Sequence, residues 1–397
     1  MEAESLEWIP EGRAFGAEDM VWFAGREDRP LDDVLAGIDL VVTGPHASAA
    51  FPAEMARFVA PSLTKRLQFD FTDVSTSPVA RRWAEIDDRV LYIENPHPRA
   101  VRDANRPRPV DVLDDVRAAF RRLTAAGSEG RPSLTGVDAV RPVTFGYLPV
   151  LCEPTDDSEW QRLGDALRTA GALGIDRYER LRDELVQRVI EAKLRRLADI
   201  DPSAVASKDW ASAVHLDVLS IHDTMNHTAR PDGAICLERE PKDRLPNVVA
   251  LSNRGDATGD VIPRDSAALR AQIDVPTMPP ARIRIIGNAY ATAFAAPGAD
   301  DVAYNRPYLG GHETQTMGPM LRDLEPLAVV RRPGQEPRRL QLGAWQNEFL
   351  REFLLGPEST AALMEPGGGW VAPPPDRVEW LAERLRTAHD LVRAAGE

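Results

Sequence analysis

Short apolar runs alternate along the chain with longer segments in which apolar residues recur every three to four positions. The short runs predict β-strands and the longer segments predict helices, because their spacings match the two backbone geometries. Strands are predicted at 39–43, 89–94, 216–221, 247–251, 282–287 and 338–343. Helices are predicted at 53–66, 78–86, 110–126, 157–169, 174–200 and 344–355. This alternation predicts an α/β fold with three layers, in which a mostly parallel or mixed sheet carries helices on both faces.

The two ends of the chain differ in pattern from its middle. Residues 1–37 precede the first strand-like run and are interpreted as an N-terminal extension, and residues 38–355 form the predicted α/β domain. Residues 356–376 include the sequence PGGGWVAPPPD, which predicts a linker because glycine and proline interrupt regular structure. Residues 377–397 predict a last helix, which either docks on the domain or mediates a homodimer.

Composition and charge narrow the class of protein. Hydrophobic residues make up 43% of the 397 residues, which is enough for a large core, and the formal net charge is −14. Nucleic acids and anionic membrane surfaces both attract basic proteins, so neither is expected as a partner. No apolar run approaches the roughly 20 residues that span a bilayer, and no signal peptide is visible. With only two widely separated cysteines, the chain is predicted to be cytoplasmic.

Two histidines follow predicted strands. His46 lies in the sequence GPHASAAFP after the run at 39–43, and His222 follows the run at 216–221. Ligands bind outside the carboxyl ends of the strands in open parallel sheets, so both positions favour a functional site. Neutral imidazoles are common zinc ligands, and a carboxylate often completes a catalytic set that leaves one position open for water. For either histidine alone, capping of a loop remains an alternative interpretation.

An arginine-rich loop follows the predicted strand at 89–94. Its sequence is NPHPRAVRDANRP, and its charged and amide side chains are Arg99, Arg102, Asp103, Asn105 and Arg106. A planar guanidinium suits a two-point grip on a carboxylate, so the loop is a candidate site for an anionic ligand. A solvated loop of ion pairs is the alternative interpretation.

A glycine pair marks a fourth candidate segment. In NRPYLGGHETQTMG, Gly310 and Gly311 allow the backbone to approach a ligand closely, and they are followed by His312 and Glu313. An ordinary glycine turn is the alternative here.

Taken in order, these segments resemble the N-formylglutamate amidohydrolase family. The motifs that carry the resemblance are PHASAAFP (45–52), FDFTDV (69–74), RAVRDANRP (99–107), SIHDT (220–224) and NRPYLGG (305–311). The arginine element is the most specific of them, and the resemblance spans roughly residues 38–355. It implies an amidohydrolase-like α/β domain related to zinc-dependent carboxypeptidases and deacylases.

The resemblance implies hydrolysis of an amide beside a substrate carboxylate, with one zinc ion per chain. His46, Asp73 and His222 are then the expected metal ligands, with Asp70 in reserve as the third ligand. The metal would activate a water molecule and polarise the carbonyl oxygen, and a carboxylate would carry the proton to the leaving amine. The expected substrate is a small, anionic, amino-acid-like or peptidyl compound with an N-acyl or N-formyl group.

The resemblance also implies which residues hold the substrate. Arg99 and Arg106 are expected to grip its carboxylate, with Asn105 and His312 beside them. Arg102 is expected to point away from the pocket.

The chain departs from the family pattern at three places. The aspartate two positions before the second histidine is Ser220 here, and Gln315 stands near the place of an arginine after the glycine pair. The final strand of the family carries a general base in the context Q-x-E, and assigning the sequence QLG to that place puts Gly343 at the base position. Glu313 is therefore expected to be the replacement base, with Glu348 as the runner-up on a segment predicted to be helical.

Two other functions stay open. Loss of the base would suit a non-catalytic or repurposed binding protein on the same scaffold, and the pocket would also suit a tailoring enzyme that opens or transfers an acyl group in a specialised pathway. Metal content separates the first from the enzymes, since a hydrolase is expected to hold about one zinc ion per chain.

Overall fold

The computed structural model describes residues 5–127, 130–201, 214–262, 275–334 and 336–395. Its strands are β1 (Trp8–Ile9), β2 (Val21–Trp22), β3 (Leu40–Gly44), β4 (Phe51–Pro52), β5 (Val90–Glu94), β6 (His215–Thr224), β7 (His227–Ala229), β8 (Ile235–Glu238), β9 (Val249–Ser252), β10 (Val302–Tyr304), β11 (Val329–Val330), β12 (Arg338–Arg339) and β13 (Gln341–Leu350).

The α-helices of these ranges are α1 (Ala17–Met20), α2 (Lys65–Asp70), α3 (Thr76–Ile86), α4 (Val112–Ala126), α5 (Asp157–Leu173), α6 (Ile175–Asp199), α7 (Pro280–Ala293), α8 (His312–Leu324), α9 (Arg351–Leu355), α10 (Pro357–Met364) and α11 (Pro375–Ala395). None of these described helices is both long and apolar enough to cross a membrane.

Seven strands form one mixed sheet in the order β10-β9-β13-β6-β3-β5-β2. The four central strands β13, β6, β3 and β5 are parallel to one another. On one side β9 pairs antiparallel with β13, and at the other edge β2 pairs antiparallel with β5. Strands β3 and β5 are buried along their whole length, which explains why their sequences are continuous apolar runs.

Helices cover both faces of the sheet. Val41 and Val42 are neighbours in β3 and pack on opposite faces, because successive side chains of a strand point to opposite sides. Val41 belongs to the core that Leu185 of α6 completes. Val42 belongs to the core that Trp83 of α3 and Leu385 of α11 complete. The predicted three-layer α/β fold is therefore confirmed.

A third hydrophobic cluster lies beyond the carboxyl ends of the central strands. It joins α2, α4 and α5 through residues such as Leu67, Val116 and Leu167. The chain enters this cluster directly after β3, β5 and β6, so the cluster forms a wall next to the loops that leave those strands. Those loops carry the candidate site.

Two predicted elements are wrong. The predicted strand 282–287 lies inside α7, where Pro280 begins the helix and the buried Ile283, Ile286 and Tyr290 recur at helical spacing. The predicted helix 344–355 is instead the second half of β13 followed by the short helix α9. β13 pairs with strands on both sides and is buried almost throughout, so it lacks the alternation that marks a half-exposed strand.

The predicted helix at 53–66 also differs from the structure. Ala53–Phe58 form a 3₁₀-helix, and α2 begins only at Lys65. Pro61 stands between them and cannot continue a helix, because it lacks a backbone N–H and its ring obstructs the preceding turn.

The chain ends are built into the fold. β2, within the predicted N-terminal extension, is an edge strand of the main sheet. The predicted linker 356–376 is wrong for its first part, because α10 is helical and buries Leu363 in the third cluster. The final helix α11 docks on α3 and α7, where Leu381 and Leu385 enter the second core.

Candidate metal centre

The carboxyl ends of β3 and β6 bring two histidines together. The two strands are adjacent and parallel. His46 follows β3 directly after Pro45. His222 lies near the carboxyl end of β6, which ends at Thr224. Both imidazoles are buried, and their Nδ1 atoms are 3.3 Å apart.

Asp73 completes a group of three potential metal ligands. Its Oδ2 lies 2.9 Å from Nδ1 of His46 and 2.8 Å from Nδ1 of His222. All three residues are buried, and among the described residues their ligand atoms form a group that could hold a metal ion. Two ligands that bind a tetrahedral ion at about 2.0–2.1 Å lie about 3.3 Å apart, so small side-chain movements would admit one.

Both carboxylate oxygens of Asp73 have partners. Arg99 donates to its Oδ1 at 2.7 Å, which leaves Oδ2 for the histidines. Although burial opposes ionisation, the Arg99 and His46 charges hold the pKa of Asp73 well below its usual value. The reserve ligand Asp70 lies outside the group, where its Oδ1 accepts from Arg351 at 3.2 Å.

Asp103 orients the first histidine. Its Oδ1 lies 2.7 Å from Nε2 of His46. A carboxylate only accepts hydrogen bonds, so Nε2 carries a proton, and Nδ1 is the nitrogen that is left to bind a metal ion. Burial and the Arg99 charge oppose protonation, but the charges of Asp103 and Asp73 raise the pKa of His46. Metal-binding histidines commonly have such a carboxylate partner behind them.

The second histidine is contacted from behind by a hydroxyl and an amide. Ser220 Oγ lies 3.0 Å and Asn105 Nδ2 lies 3.3 Å from Nε2 of His222. The Ser220 hydroxyl donates to Oε2 of Glu313 at 2.8 Å. Asn105 Oδ1 accepts the backbone N–H of Glu313 at 3.0 Å. Asn105, predicted to bind substrate, thus supports the loop and the histidine in this structure.

Glu313 does not have the surroundings of a general base. Thr43 and Ser220 donate to its Oε2, and Tyr178 and Arg182 donate to its Oε1, at distances of 2.7–2.8 Å. Although burial opposes ionisation, the Arg182 charge and these hydrogen bonds lower the pKa of Glu313. A carboxylate enclosed by four donors is a poor proton acceptor, so these contacts disfavour Glu313 as the base, and that role stays an untested prediction.

Strand register identifies a different glutamate. In the parallel pair β13–β6, Glu348 is opposite His222, whereas Gly343 is opposite Asp217 near the amino end. Five strand positions at about 3.3 Å each put Gly343 roughly 17 Å from the site, so it does not occupy the base position. The sequence Gln346-Asn347-Glu348 fits the pattern Q-x-E on the final strand. The assignment of that pattern to QLG is wrong.

The pKa of Glu348 is shifted in the opposite direction to the pKa of Glu313. It is buried, and burial together with the nearby charge of Asp73 raises the pKa of Glu348 to about 8. Gln346 donates to its Oε2 at 3.2 Å, and the same amide accepts the backbone N–H of Gly311 at 2.8 Å. Glu348 is therefore a carboxyl group that changes protonation near neutral pH, beside the metal-ligand group.

The predicted arginines occupy different positions. Arg99 is bound to Asp73, as described above. Arg106 donates to Asp138 at 2.8 Å and keeps about a third of its side chain exposed, with a relative exposure of 35%. Arg102 binds Glu179 and Asp176 near the start of α6 and points away from the group.

Sequence reasoning did not identify two further arginines near the site. Around the ring of Phe145, the guanidinium carbons of Arg99, Arg141 and Arg239 lie 5.0, 4.9 and 5.8 Å from the centroid. Among the described residues, neither Arg141 nor Arg239 has a carboxylate within ion-pair distance. The sequence RPVTF at 141–145 shows an arginine and an aromatic residue but no motif that links them to the site.

His312 begins α8 near this group. Its backbone N–H donates to the carbonyl of Asn105 at 3.2 Å, and its ring is half-buried. Burial and the Arg182 charge lower the pKa of His312, so the neutral imidazole is favoured. A role in substrate binding stays a prediction.

Comparisons of the chain with protein-family models, with curated proteins and with solved structures found no match.

Proposed function

We propose that the protein is a metal-dependent amidohydrolase that cleaves an N-acyl or N-formyl amide of a small, anionic, amino-acid-like or peptidyl substrate. The observation that supports this most strongly is Glu348, whose pKa is raised to about 8 beside the buried His–Asp–His group. Two imidazole nitrogens and one carboxylate oxygen form a donor set that suits zinc, and one ion per chain is expected.

When bound, zinc lowers the pKa of a water molecule toward about 7 and polarises a substrate carbonyl. Glu348, which the strand register places opposite His222, accepts the proton of the attacking water in its ionised form and passes it to the leaving amine. His46 and His222 keep their Nδ1 atoms turned toward the reaction centre through the contacts behind their rings.

The arginines of the loop at 99–106 and of the Phe145 cluster supply positive charge for an anionic substrate. Arg99 is already bound to Asp73, so we expect it to contribute little to binding of the substrate carboxylate. Arg106 keeps an exposed side-chain face, and Arg141 bonds the backbone carbonyls of Val143 and Thr144. We therefore assign the substrate carboxylate chiefly to Arg106 and Arg141.

The order of motifs resembles N-formylglutamate amidohydrolases, and the Q-x-E pattern at 346–348 extends that resemblance. The alternative of a non-catalytic binding protein relied on glycine at the base position, and that reason disappears with Gly343 at the other end of the strand. A cytoplasmic location is part of the proposal, since Cys152 and Cys236 are both free thiols in the structure.

The test compares wild type with Glu348→Gln, using elemental analysis for zinc and hydrolysis of N-formylglutamate and a set of N-acyl amino acids. Wild type is expected to hold about one zinc ion per chain and to turn over at least one substrate. Glu348→Gln is expected to keep its zinc and to lose about 10²–10⁴-fold in kcat, because a positioned acid–base is removed.

Glu358→Gln, a change on the exposed face of α10, is the matched control and is expected to behave as wild type. Full activity of Glu348→Gln would remove this residue from the mechanism. Absence of both zinc and turnover in wild type would contradict the hydrolase and favour a binding protein.

A further inference from the structure

The two candidate metal-binding histidines have unequal partners behind their rings. Asp103 contacts Nε2 of His46 directly at 2.7 Å, whereas Nε2 of His222 meets the hydroxyl of Ser220 at 3.0 Å. That hydroxyl in turn lies 2.8 Å from Oε2 of Glu313. We infer that Glu313, acting through Ser220, is the positioning carboxylate of His222 and thereby sets the affinity of the site for its metal. This inference rests on the proposed metal site.

The direction of the hydrogen bonds follows from the chemistry of each group. If Nδ1 of His222 binds a metal ion, Nε2 must carry the proton and needs an acceptor. Asn105 cannot serve, because its oxygen already accepts from the backbone of Glu313 and its amide nitrogen faces the ring. The proton of Ser220 is donated to the Glu313 carboxylate, which leaves a lone pair of the hydroxyl for Nε2–H.

The hydrogen-bond donors around Glu313 favour the ionised form of its carboxyl group. Arg182 and Tyr178 donate to its Oε1 at 2.7 Å, and Thr43 donates to its Oε2 at 2.7 Å. A buried carboxylate with these partners polarises the Ser220 hydroxyl and strengthens it as an acceptor, because hydrogen bonds in a chain reinforce one another.

This relay accounts for the serine at position 220. The pattern that the chain resembles has an aspartate there, two residues before the second histidine. The Ser220 hydroxyl carries no charge, and the carboxylate is supplied instead by Glu313 in the first turn of α8. Thr43 and Ser220 are register partners on β3 and β6, so α8 can place one carboxylate oxygen over both hydroxyls.

Zinc affinity of the purified chain, measured by competition with a chelating dye, tests the relay without any activity assay. Ser220→Ala is expected to weaken zinc binding about 10–100-fold, the usual effect of removing the group behind a metal-binding histidine. Thr43→Val is the matched control, because it removes a hydroxyl from the same carboxylate oxygen and leaves His222 untouched. Its affinity is expected to stay within about threefold of wild type.

Variants that remove or move the carboxylate of Glu313 distinguish a role in positioning His222 from a general loss of structure. Glu313→Gln is expected to weaken zinc binding as much as Ser220→Ala, and the double variant no more than either, since both break one chain of contacts. Ser220→Asp in the Glu313→Gln background is expected to restore affinity. Arg182 keeps Asp183 as a partner at 2.8 Å in these variants, and melting temperatures show which of them fold.

Two results would overturn the inference in distinguishable ways. Wild-type affinity in Ser220→Ala, with wild type itself binding zinc, would refute the relay and leave the proposed hydrolase intact. Failure of wild type to bind zinc at all would refute the metal site, and with it both proposals.

Discussion

Arg99 connects the metal-ligand group to the acidic residue behind it. Its guanidinium lies 2.7 Å from Oδ1 of Asp73 and 3.5 Å from Oδ2 of Asp103. One cation thus compensates two buried carboxylates that contact His46, and without it their charges would repel each other in a region of low dielectric. Arg99 is therefore first a part of the metal site, and Arg106 is better placed for substrate.

This difference predicts separate kinetic effects for the two arginines. Arg106→Ala is expected to raise KM about tenfold or more while zinc content stays at wild-type level, because about a third of its side chain is exposed and its ion pair among the described residues is with Asp138. Arg99→Ala is expected to lower zinc content and kcat together. Steady-state kinetics with parallel metal analysis check both changes. A rise in KM alone for Arg99→Ala would return that residue to the substrate-binding role.

The residues of the candidate metal group could be predicted from the sequence, whereas Glu348, the proposed base, is only the second choice there. His46 and His222 follow apolar runs that mark strand ends, whereas Asp73 is preferred to Asp70 only with the help of the resemblance, because both lie in the same acidic motif. Glu348 lies among buried polar residues of a central strand, where neither apolar alternation nor a turn marks the position. Only the register between β13 and β6 distinguishes Glu348 from Gly343, and register depends on pairing across the chain.

At the scale of elements, apolar content predicts the fully apolar strands and fails for the strand that carries polar residues next to the candidate site. Apolar content identified β3, β5 and β6 because these strands are covered on both faces by hydrophobic helices. In β13, Trp345 and Phe349 pack in the second core, whereas the three residues between them are polar, and apolar residues four positions apart imitate an amphipathic helix. The polar residues next to the candidate site therefore make this strand hard to recognise from the sequence.

The last helix is joined to the amino end of the sheet by a buried histidine. His389 of α11 lies 3.1 Å from Asp39, at the start of β3, and 3.1 Å from Asp87, between α3 and β5. Burial opposes protonation, but the charge of Asp39 and hydrogen bonds with both carboxylates raise the pKa of His389 to about 9. Arg393 and Lys193 also act on Asp39.

The raised pKa predicts how stability depends on pH. Because the folded pKa of about 9 lies above the ordinary value of 6.5, the stabilisation is complete below pH 6.5 and is lost as the pH rises through 9. A shift of this size corresponds to roughly 3 kcal/mol. Since Lys193 also titrates in this range, the informative quantity is the difference between wild type and His389→Gln.

Urea unfolding at pH 6, 7.5 and 9.5 measures that difference. The free energy of unfolding of wild type is expected to exceed that of His389→Gln most at the lowest of these pH values. This difference is expected to narrow steadily toward the highest pH. A gap that does not change with pH would mean that the proton on His389 contributes nothing to docking of the helix.

At the scale of the whole molecule, the two ends of the sheet carry different polar groups. The carboxyl end has the candidate metal group, Glu348 with its raised pKa, and Arg141 and Arg239, which have no carboxylate partner within the described part of the chain. The amino end has the ion pairs of His389 and a cavity of about 70 Å³ whose walls include Trp83, Tyr290 and Trp345. We interpret the amino end as the part that stabilises the fold and the carboxyl end as the part that does chemistry.

This division predicts that metal binding changes the stability of the entire chain. His46, Asp73 and His222 come from three segments, so an ion that binds them joins β3, β6 and the loop after α2 only in the folded state. Free zinc at 100 times its dissociation constant is expected to stabilise the fold by about 2.7 kcal/mol. That corresponds to a rise in Tm of roughly 3 °C for a chain of this length, and a strong chelator is expected to reverse it. Calorimetry with and without zinc measures the shift, and His46→Ala, which lacks one ligand, is expected to show little of it. Identical melting of wild type in zinc and in chelator would contradict a metal site formed by these three residues.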